Sequence, residues 1–269
     1  MCSSDLHLLL RPYDQMSWDD QVRTESEALR SLRAAAFARD TLRAGFVAVR
    51  ELGTEGADFA DVALRQAMGE GHVRGPRLFV ATRAIVLQGC YGPDPENPAT
   101  RKGAQVVAGE AAIRAAVREQ VAGGADWIKV YADYRHGKSG PVAPTFSLEE
   151  LQALCDEAKQ LGRPVAAHAN TDEGIRRAVL AGVRTIEHGA GASATTLALM
   201  KEKGVVLCPC LAATEAIVRY AGHKGPVAER LNVGKLGFQR ALAAGVTIAD
   251  RKSTRLNSSH LVSRMPSSA

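Results

Sequence analysis

The chain lacks the long apolar segments that membrane proteins need. No stretch of its 269 residues approaches 18 consecutive apolar residues, so nothing in it is expected to span a bilayer. It also lacks the glycine-rich motifs G-x-G-x-x-G and G-x-x-x-x-G-K-[ST], and a nucleotide cradle is therefore not predicted. Cysteine is scarce. The five cysteines are an odd number and lie mostly in apolar segments, which favours a reduced, cytoplasmic setting over a disulfide framework.

A strong charge bias is absent once the last residues are set aside. The formal net charge is +5, but residues 250–269 supply +3 of it. The remaining +2 gives no reason to predict a nucleic-acid or membrane partner. This tail has no hydrophobic periodicity, and its segment DRKSTRLNSSH, like MCSSDL at the start, resembles translated sequencing-adapter sequence. We therefore expect residues 1–6 and 250–269 to be non-native and residues 7–249 to form one domain.

Glycines divide the chain at regular intervals. Each of seven glycines ends a helical pattern and precedes a β-branched or apolar run: Gly45, Gly75, Gly124, Gly162, Gly182, Gly204 and Gly245. Glycine is the residue that most easily adopts the left-handed conformation just past a helix, so each marks a helix-to-strand joint. With an opening apolar run at Leu6–Leu10, the pattern predicts eight strands alternating with helices. This is the signature of an α/β protein with a (β/α)8 TIM barrel, here incomplete at strand one and after strand eight.

The segment SLEELQALCDEAKQLG has a clear helix start. Ser147 and Glu150 form an S-x-x-E capping box ahead of an apolar stripe. Three long connections follow strands, at residues 88–109, 132–146 and 212–226, and therefore lie on the barrel face where active sites are built.

Three consecutive predicted strands each end in a side chain that can bind a metal ion. Lys129 lies in WIKVY, His168 in PVAAHA and His188 in TIEHGA. Lysine is rarely buried in an apolar strand unless it is paired or reactive. A solvent-reaching lysine or a histidine bonded to a carbonyl would explain any one of them alone, but the three together indicate a shared polar centre.

These motifs, in the order VRELG, WIKVY, VAAHA and TIEHG, resemble the metal-dependent amidohydrolase superfamily, in the branch of imidazolonepropionase-like proteins and Xaa-Pro dipeptidases. The resemblance implies a binuclear centre, usually of two zinc ions, at the carboxyl ends of the strands. Lys129, carboxylated by CO₂, would bridge the ions, and His168 and His188 would bind one of them. Such a centre activates water for attack on an amide.

Both ends of the sequence depart from the family pattern. The family opens with H-x-H, where this chain has Asp5-Leu6-His7, so His7 takes the place of the second histidine and the first is missing. No strand-eight Asp follows VTIA, because Asp250 comes too early. We therefore expect this chain to bind zinc weakly and to be impaired.

The substrate is less well defined. Residues after the lysine strand are candidates to bind a substrate carboxylate or a developing oxyanion, although a solvated loop with stacked aromatics is equally compatible: Tyr131, Tyr134, Arg135 and His136. An acyl-proline or other dipeptide is the preferred small-molecule substrate, with cyclic amides next. Arg50 is expected in a barrel salt bridge, and Cys208 and Cys210 are expected to be structural. A homo-oligomer is compatible with the sequence.

Two other functions stay open. A metal-free class I aldolase would use Lys129 as a Schiff-base nucleophile, although that chemistry does not require the two histidines. Alternatively, the chain is an inactive barrel remnant.

Overall fold

A computed structural model describes residues 2–13, 15–95, 97, 99–137, 139–211, 214–215, 218 and 226–249. For residues 2–6 and 226–228 the description covers the backbone. The tail predicted to be non-native at 250–269, and most of the predicted connection at 212–226, lie outside the described residues. The predicted domain boundaries therefore stay predictions.

Parallel strands alternate with helices along the described chain. The strands are β1 Cys2–Leu6, β2 Ala48–Glu51, β3 Arg77–Val80, β4 Ile85–Leu87, β5 Gln105–Val107, β6 Ile128–Tyr131, β7 Asp133–Arg135, β8 Val142–Pro144, β9 Val165–Ala169, β10 Thr185–His188 and β11 Val206–Cys208. The helices are α1 Trp18–Thr24, α2 Glu27–Arg43, α3 Ala60–Gly69, α4 Glu110–Ala122, α5 Leu148–Gln160, α6 Asp172–Ala181, α7 Ala194–Lys203 and α8 Pro226–Ala244. The predicted α/β class is correct.

The strands form two parallel sheets and one small hairpin. One sheet has the order β1-β2-β3 and the other β11-β10-β9-β6-β4-β5, while β7 and β8 pair antiparallel. The amide of Trp127, just before β6, donates to Val80 O of β3 at 3.1 Å, and Leu207 of β11 forms a parallel bridge with Ile248. The two sheets are therefore linked at β3 and β6, and their parallel pairing agrees with the predicted α/β topology.

Local sequence explains the helix ends. The predicted capping box of α5 is present, with Ser147 Oγ accepting from Glu150 N at 3.1 Å and Glu150 Oε2 accepting from Ser147 N at 2.9 Å. At the ends of α6 and α7, Gly182 and Gly204 adopt the left-handed conformation with φ of 98° and 66°. These are two of the predicted helix-to-strand joints.

The main core lies between the second sheet and its helices. Alternate strand residues, among them Ile128, Val130, Ala167 and Ile186, pack against helix residues such as Leu154 and Ile175. Because strand side chains alternate between faces, the residues between them lie on the opposite, inner face of the sheet. Lys129, His168 and Glu187 are inner-face residues by this register.

The first strand lies earlier than the sequence predicted. The run Leu6–Leu10 was expected to be strand one, but β1 ends at Leu6 and the three leucines that follow form a buried turn closed by Leu10 N to His7 O at 3.4 Å. The prediction was wrong because burial of a turn and burial of a strand produce the same short apolar run. Across the described ranges, no helix has both the length and the apolar character needed to cross a membrane.

Candidate functional site

The carboxyl ends of three neighbouring strands bring the predicted site residues to one edge of the sheet. β6 pairs with β9 and β9 with β10, with Tyr131 opposite His168 and Glu187 opposite His168. Lys129 lies two residues before Tyr131 on the same inner face and is only 2% exposed. Its Nζ lies 5.6 Å from the centroid of the Tyr131 ring. The lysine is thus buried below the strand ends.

His168 and His188 are adjacent. Their ring centroids lie 4.7 Å apart in an edge-to-face arrangement. Strand alternation alone would turn His188 to the same face as Ile186, which packs against the helices. The backbone of His188 instead adopts a φ of 71°, a conformation that costs energy for any residue with a Cβ and that re-aims its side chain. This strained residue at a strand end indicates a functional constraint.

His7 follows β1 and lies beside β2. Its Nδ1 is 2.9 Å from Gly53 O and 3.2 Å from Glu51 Oε1. Glu51 is fully buried, and its Oε2 accepts from Leu8 N at 2.5 Å. Burial raises the pKa of the Glu51 carboxyl above its usual value. Gly53 O and the buried carboxyl group of Glu51 therefore both contact Nδ1 of His7.

An aromatic cluster covers one side of the two histidines. The ring of Tyr131 stacks on His168 at 4.6 Å with an interplanar angle of 21°, and the ring of Tyr134 lies 6.0 Å from His168. Tyr91 joins the cluster, with its ring 4.5 Å from that of Tyr131. The two predicted substrate-binding tyrosines are therefore next to the histidine pair.

Glu55 holds the hydroxyl groups of this cluster. Its Oε2 accepts from Tyr91 Oη at 2.7 Å and from Trp18 Nε1 at 3.0 Å, and its Oε1 lies 3.5 Å from Tyr131 Oη. Burial, and then the Glu55 charge, raise the pKa of Tyr91 well above its usual value. Sequence reasoning missed Glu55, Tyr91 and Trp18, since they come from separate connections and no local motif marks them.

His136, the third predicted substrate-binding residue, joins two connections. Its Nδ1 lies 3.5 Å from Cys90 Sγ and its Nε2 lies 3.2 Å from Pro144 O. The Cys90 contact and the hydrogen bond from Gly137 N to Gly89 O at 2.9 Å join the β7–β8 hairpin to the segment after β4, whereas the Pro144 contact lies within the hairpin. A contact between His136 and substrate stays a prediction.

Asp133 was not predicted, although it directly follows the lysine strand. Its Oδ2 accepts from three donors: Asn170 N at 2.8 Å, Thr171 N at 2.6 Å and Thr171 Oγ1 at 2.7 Å. Its Oδ1 lies 3.8 Å from His168 Nε2. The side chain is fully buried, and burial raises the pKa of its carboxyl above the usual value.

Arg50 forms the salt bridge expected of it. Its Nη2 donates to Glu187 Oε1 at 2.8 Å, its Nη1 lies 3.3 Å from Thr185 Oγ1, and the guanidinium lies over the Trp127 ring at 4.2 Å. The bridge joins β2 to β10 across the inner face. Cys208, expected to be structural, is buried beside it.

The donors fit a metal ion on one condition. Among the described residues, no three His, Cys, Asp or Glu side chains are grouped closely enough to hold a metal ion. His168 and His188 supply two nitrogen donors, and the buried amine of Lys129 becomes an oxygen donor only after it is carboxylated. The arrangement therefore fits a metal if Lys129 carries a carboxylate.

The sequence profile of the Amidohydrolase family matches residues 4–250, and the chain belongs to this family. Its fold and sequence are similar to those of a prolidase crystallised with N-methylphosphonate-L-proline (30% identity, TM-score 0.80, 92% of this chain and 63% of that one). They are also similar to those of a Xaa-Pro dipeptidase with bound methionine (27%, 0.76, 93% and 64%). This confirms the predicted branch of the superfamily.

Curated proteins are also similar to this chain. Ochratoxinase of Aspergillus niger is 29% identical over 266 residues, which cover 86% of this chain and 54% of the relative. An uncharacterised Mycobacterium tuberculosis protein is 30% identical over 158 residues, or 59% of this chain and 37% of that protein. The chain thus spans about half or less of the curated relatives that it matches.

Proposed function

We propose that the chain carries the active site of a metal-dependent hydrolase that cleaves amide bonds of small molecules, with dipeptides ending in proline as the preferred substrates. The observation that carries this proposal is the histidine pair, His168 and His188, at the ends of neighbouring strands beside the buried Lys129. Family membership supports the hydrolytic class. The similarity to a prolidase and a Xaa-Pro dipeptidase supports the substrate class.

The proposed centre is held by residues at the carboxyl ends of four strands or directly after them. Lys129, as a carboxylate, would bridge two zinc ions, His168 and His188 would bind one ion, and His7 would bind the other. When bound, such ions polarise a carbonyl and lower the pKa of water. Gly53 O and the Glu51 carboxyl group contact Nδ1 of His7, which would leave Nε2 for the ion. Around this centre we propose a closed eight-stranded barrel, supported by the Arg50–Glu187 bridge across the inner face.

The aromatic cluster limits what can approach the histidines. Tyr131 and Tyr134 form an apolar wall beside His168, with Tyr131 only 8% exposed. A proline ring suits such a wall because it is compact and apolar. The Tyr134 hydroxyl and nearby Arg135 would bind the substrate carboxylate.

Two departures from the family pattern lower the expected activity. Asp5 stands where the family has a histidine, and no strand-eight Asp follows VTIA. Losing one ligand weakens the metal centre, and losing a general acid–base group costs about 10²–10⁴-fold in rate. We therefore expect the chain as it stands to bind zinc weakly and to turn over slowly. Asp5→His, together with a Gly-Thr-Asp strand end after VTIA and the helix that would follow it, should raise both.

The test measures zinc binding and hydrolysis of Xaa-Pro dipeptides, with and without bicarbonate, in the original and repaired chains. Lys129→Ala should abolish both bicarbonate-dependent binding and turnover. The matched control, Lys159→Ala, removes an exposed lysine of α5 and should change neither. Turnover by the repaired chain that is indifferent to Lys129→Ala would refute the binuclear proposal. Borohydride trapping of a substrate adduct on Lys129 would favour the aldolase instead.

A further inference from the structure

We propose that Asp133 is the positioning residue of His168: its Oδ1 accepts the proton of His168 Nε2 and thereby presents Nδ1 to the metal centre. This inference rests on the proposed function, because it assigns one more residue to the same centre.

The carboxylate of Asp133 is fixed from behind. Its Oδ2 accepts from Asn170 N, Thr171 N and Thr171 Oγ1, all within 2.8 Å, at the start of α6. Helix α6 leaves room for it only because position 174 is glycine, where a Cβ would lie 2.6 Å from Oδ2. These bonds join β7 to the turn that directly follows His168. The orientation of Asp133 is therefore set by the backbone around the histidine.

The second oxygen points at the imidazole. Asp133 Oδ1 lies 3.8 Å from His168 Nε2, is fully enclosed, and accepts no hydrogen bond within the described part of the chain. A buried carboxylate oxygen without a hydrogen-bond donor costs free energy, so we expect a donor to reach it in the functional state. The separation is longer than a hydrogen bond, so the imidazole must move toward Oδ1 when the metal binds.

Asn170 approaches the same nitrogen but does not replace Asp133. Its Nδ2 lies 3.3 Å from His168 Nε2. The oxygen and nitrogen of an amide can exchange places by a flip, whereas an ionised carboxylate can only accept. Of these two groups, Asp133 is therefore the one that favours a proton on Nε2. A comparable contact occurs at His7, whose Nδ1 lies 2.9 Å from Gly53 O and 3.2 Å from the buried Glu51 carboxyl group. A carboxylate behind a metal-binding histidine fixes its tautomer and ring orientation.

The test compares two substitutions in the bicarbonate-supplemented full chain. Asp133→Asn keeps the side-chain size but offers an N–H to Nε2, which favours the tautomer with the proton on Nδ1 and blocks that nitrogen. We expect zinc affinity, measured by competition with a chromophoric chelator, to fall about 10–100-fold. The matched control is Asp172→Asn, which removes the same charge one residue beyond Thr171, where the carboxylate accepts from Ser193 N. Its zinc affinity should stay within about twofold of the original, because it leaves the His168 tautomer unchanged.

Two further measurements separate the possible outcomes. The cobalt-substituted Asp133→Asn protein should keep the visible absorption bands of the original, since a positioning residue is not a ligand; a change in coordination number would overturn the proposal. In the zinc-loaded original chain, ¹⁵N spectra of histidine should find His168 protonated at Nε2, and protonation at Nδ1 would also overturn it. The spectra need no variant. If the original chain and its repaired form bind no zinc, the proposed function fails, whereas unchanged affinity in Asp133→Asn refutes this inference alone.

Discussion

Arg50→Met tests how much the buried ion pair between β2 and β10 contributes to stability. Arg50 is 6% exposed and Glu187 fully buried, with Nη2 to Oε1 at 2.8 Å. Methionine fills much of the space of the arginine stem but leaves the Glu187 charge enclosed, with Thr185 Oγ1, at 2.7 Å, as a remaining donor. Removing one partner of a buried pair costs about 3–5 kcal/mol.

The assay is urea unfolding at neutral pH, with the free energy of unfolding obtained by linear extrapolation. Arg50→Met/Glu187→Leu removes both charges and should regain most of the loss, because an apolar pair of similar volume is often neutral. The matched control is Arg176→Met, which breaks a half-exposed pair with Glu173 on α6 and should cost less than about 1 kcal/mol. A loss below about 1 kcal/mol in Arg50→Met, or no recovery in the double variant, would refute the reasoning.

Three further predictions concern stability. Gly174→Ala, usually favourable in a helix, should here destabilise by about 1–3 kcal/mol in the same assay because its Cβ would lie 2.6 Å from Asp133 Oδ2; a gain would contradict the packing. Ser147→Ala should cost about 1 kcal/mol through loss of the α5 capping box, and no change would mean that water replaces it. Burial raises the pKa of the Asp61 carboxyl from 3.8 to about 7. The folded state therefore holds the carboxyl proton more tightly than the unfolded state, and the resulting stabilisation is lost as the pH rises from 3.8 to about 7. The free energy of unfolding of the original chain, relative to that of Asp61→Asn, should therefore fall by up to about 4 kcal/mol between acid and mildly alkaline pH. If the free energies of unfolding of the two proteins changed in parallel with pH, this prediction would be refuted.

Much of the architecture could be predicted because it depends on neighbours in sequence. The glycines at 182 and 204 end α6 and α7 in the left-handed conformation as expected. The Ser147–Glu150 box starts α5, since both partners lie within one helical turn. The first strand was misplaced because an apolar run does not distinguish a strand from a buried turn.

The candidate site was only partly predictable. Three site residues could be identified because each ends an apolar run: Lys129, His168 and His188. Burying a polar side chain there costs free energy unless it is paired or has a functional role. The strained backbone of His188, by contrast, is visible only in three dimensions.

The sequence by itself therefore determined the alternation of strands and helices and the three side chains at consecutive strand ends. Tertiary structure alone decided which groups surround them. Glu51 meets His7, Asp133 meets His168 and Arg50 meets Glu187 across separations of 44, 35 and 137 residues. A local pattern records helix periods, turns and strand ends, but such pairings depend on which strands become neighbours and on which face each side chain lies. Those conditions are met only when the parallel sheets assemble.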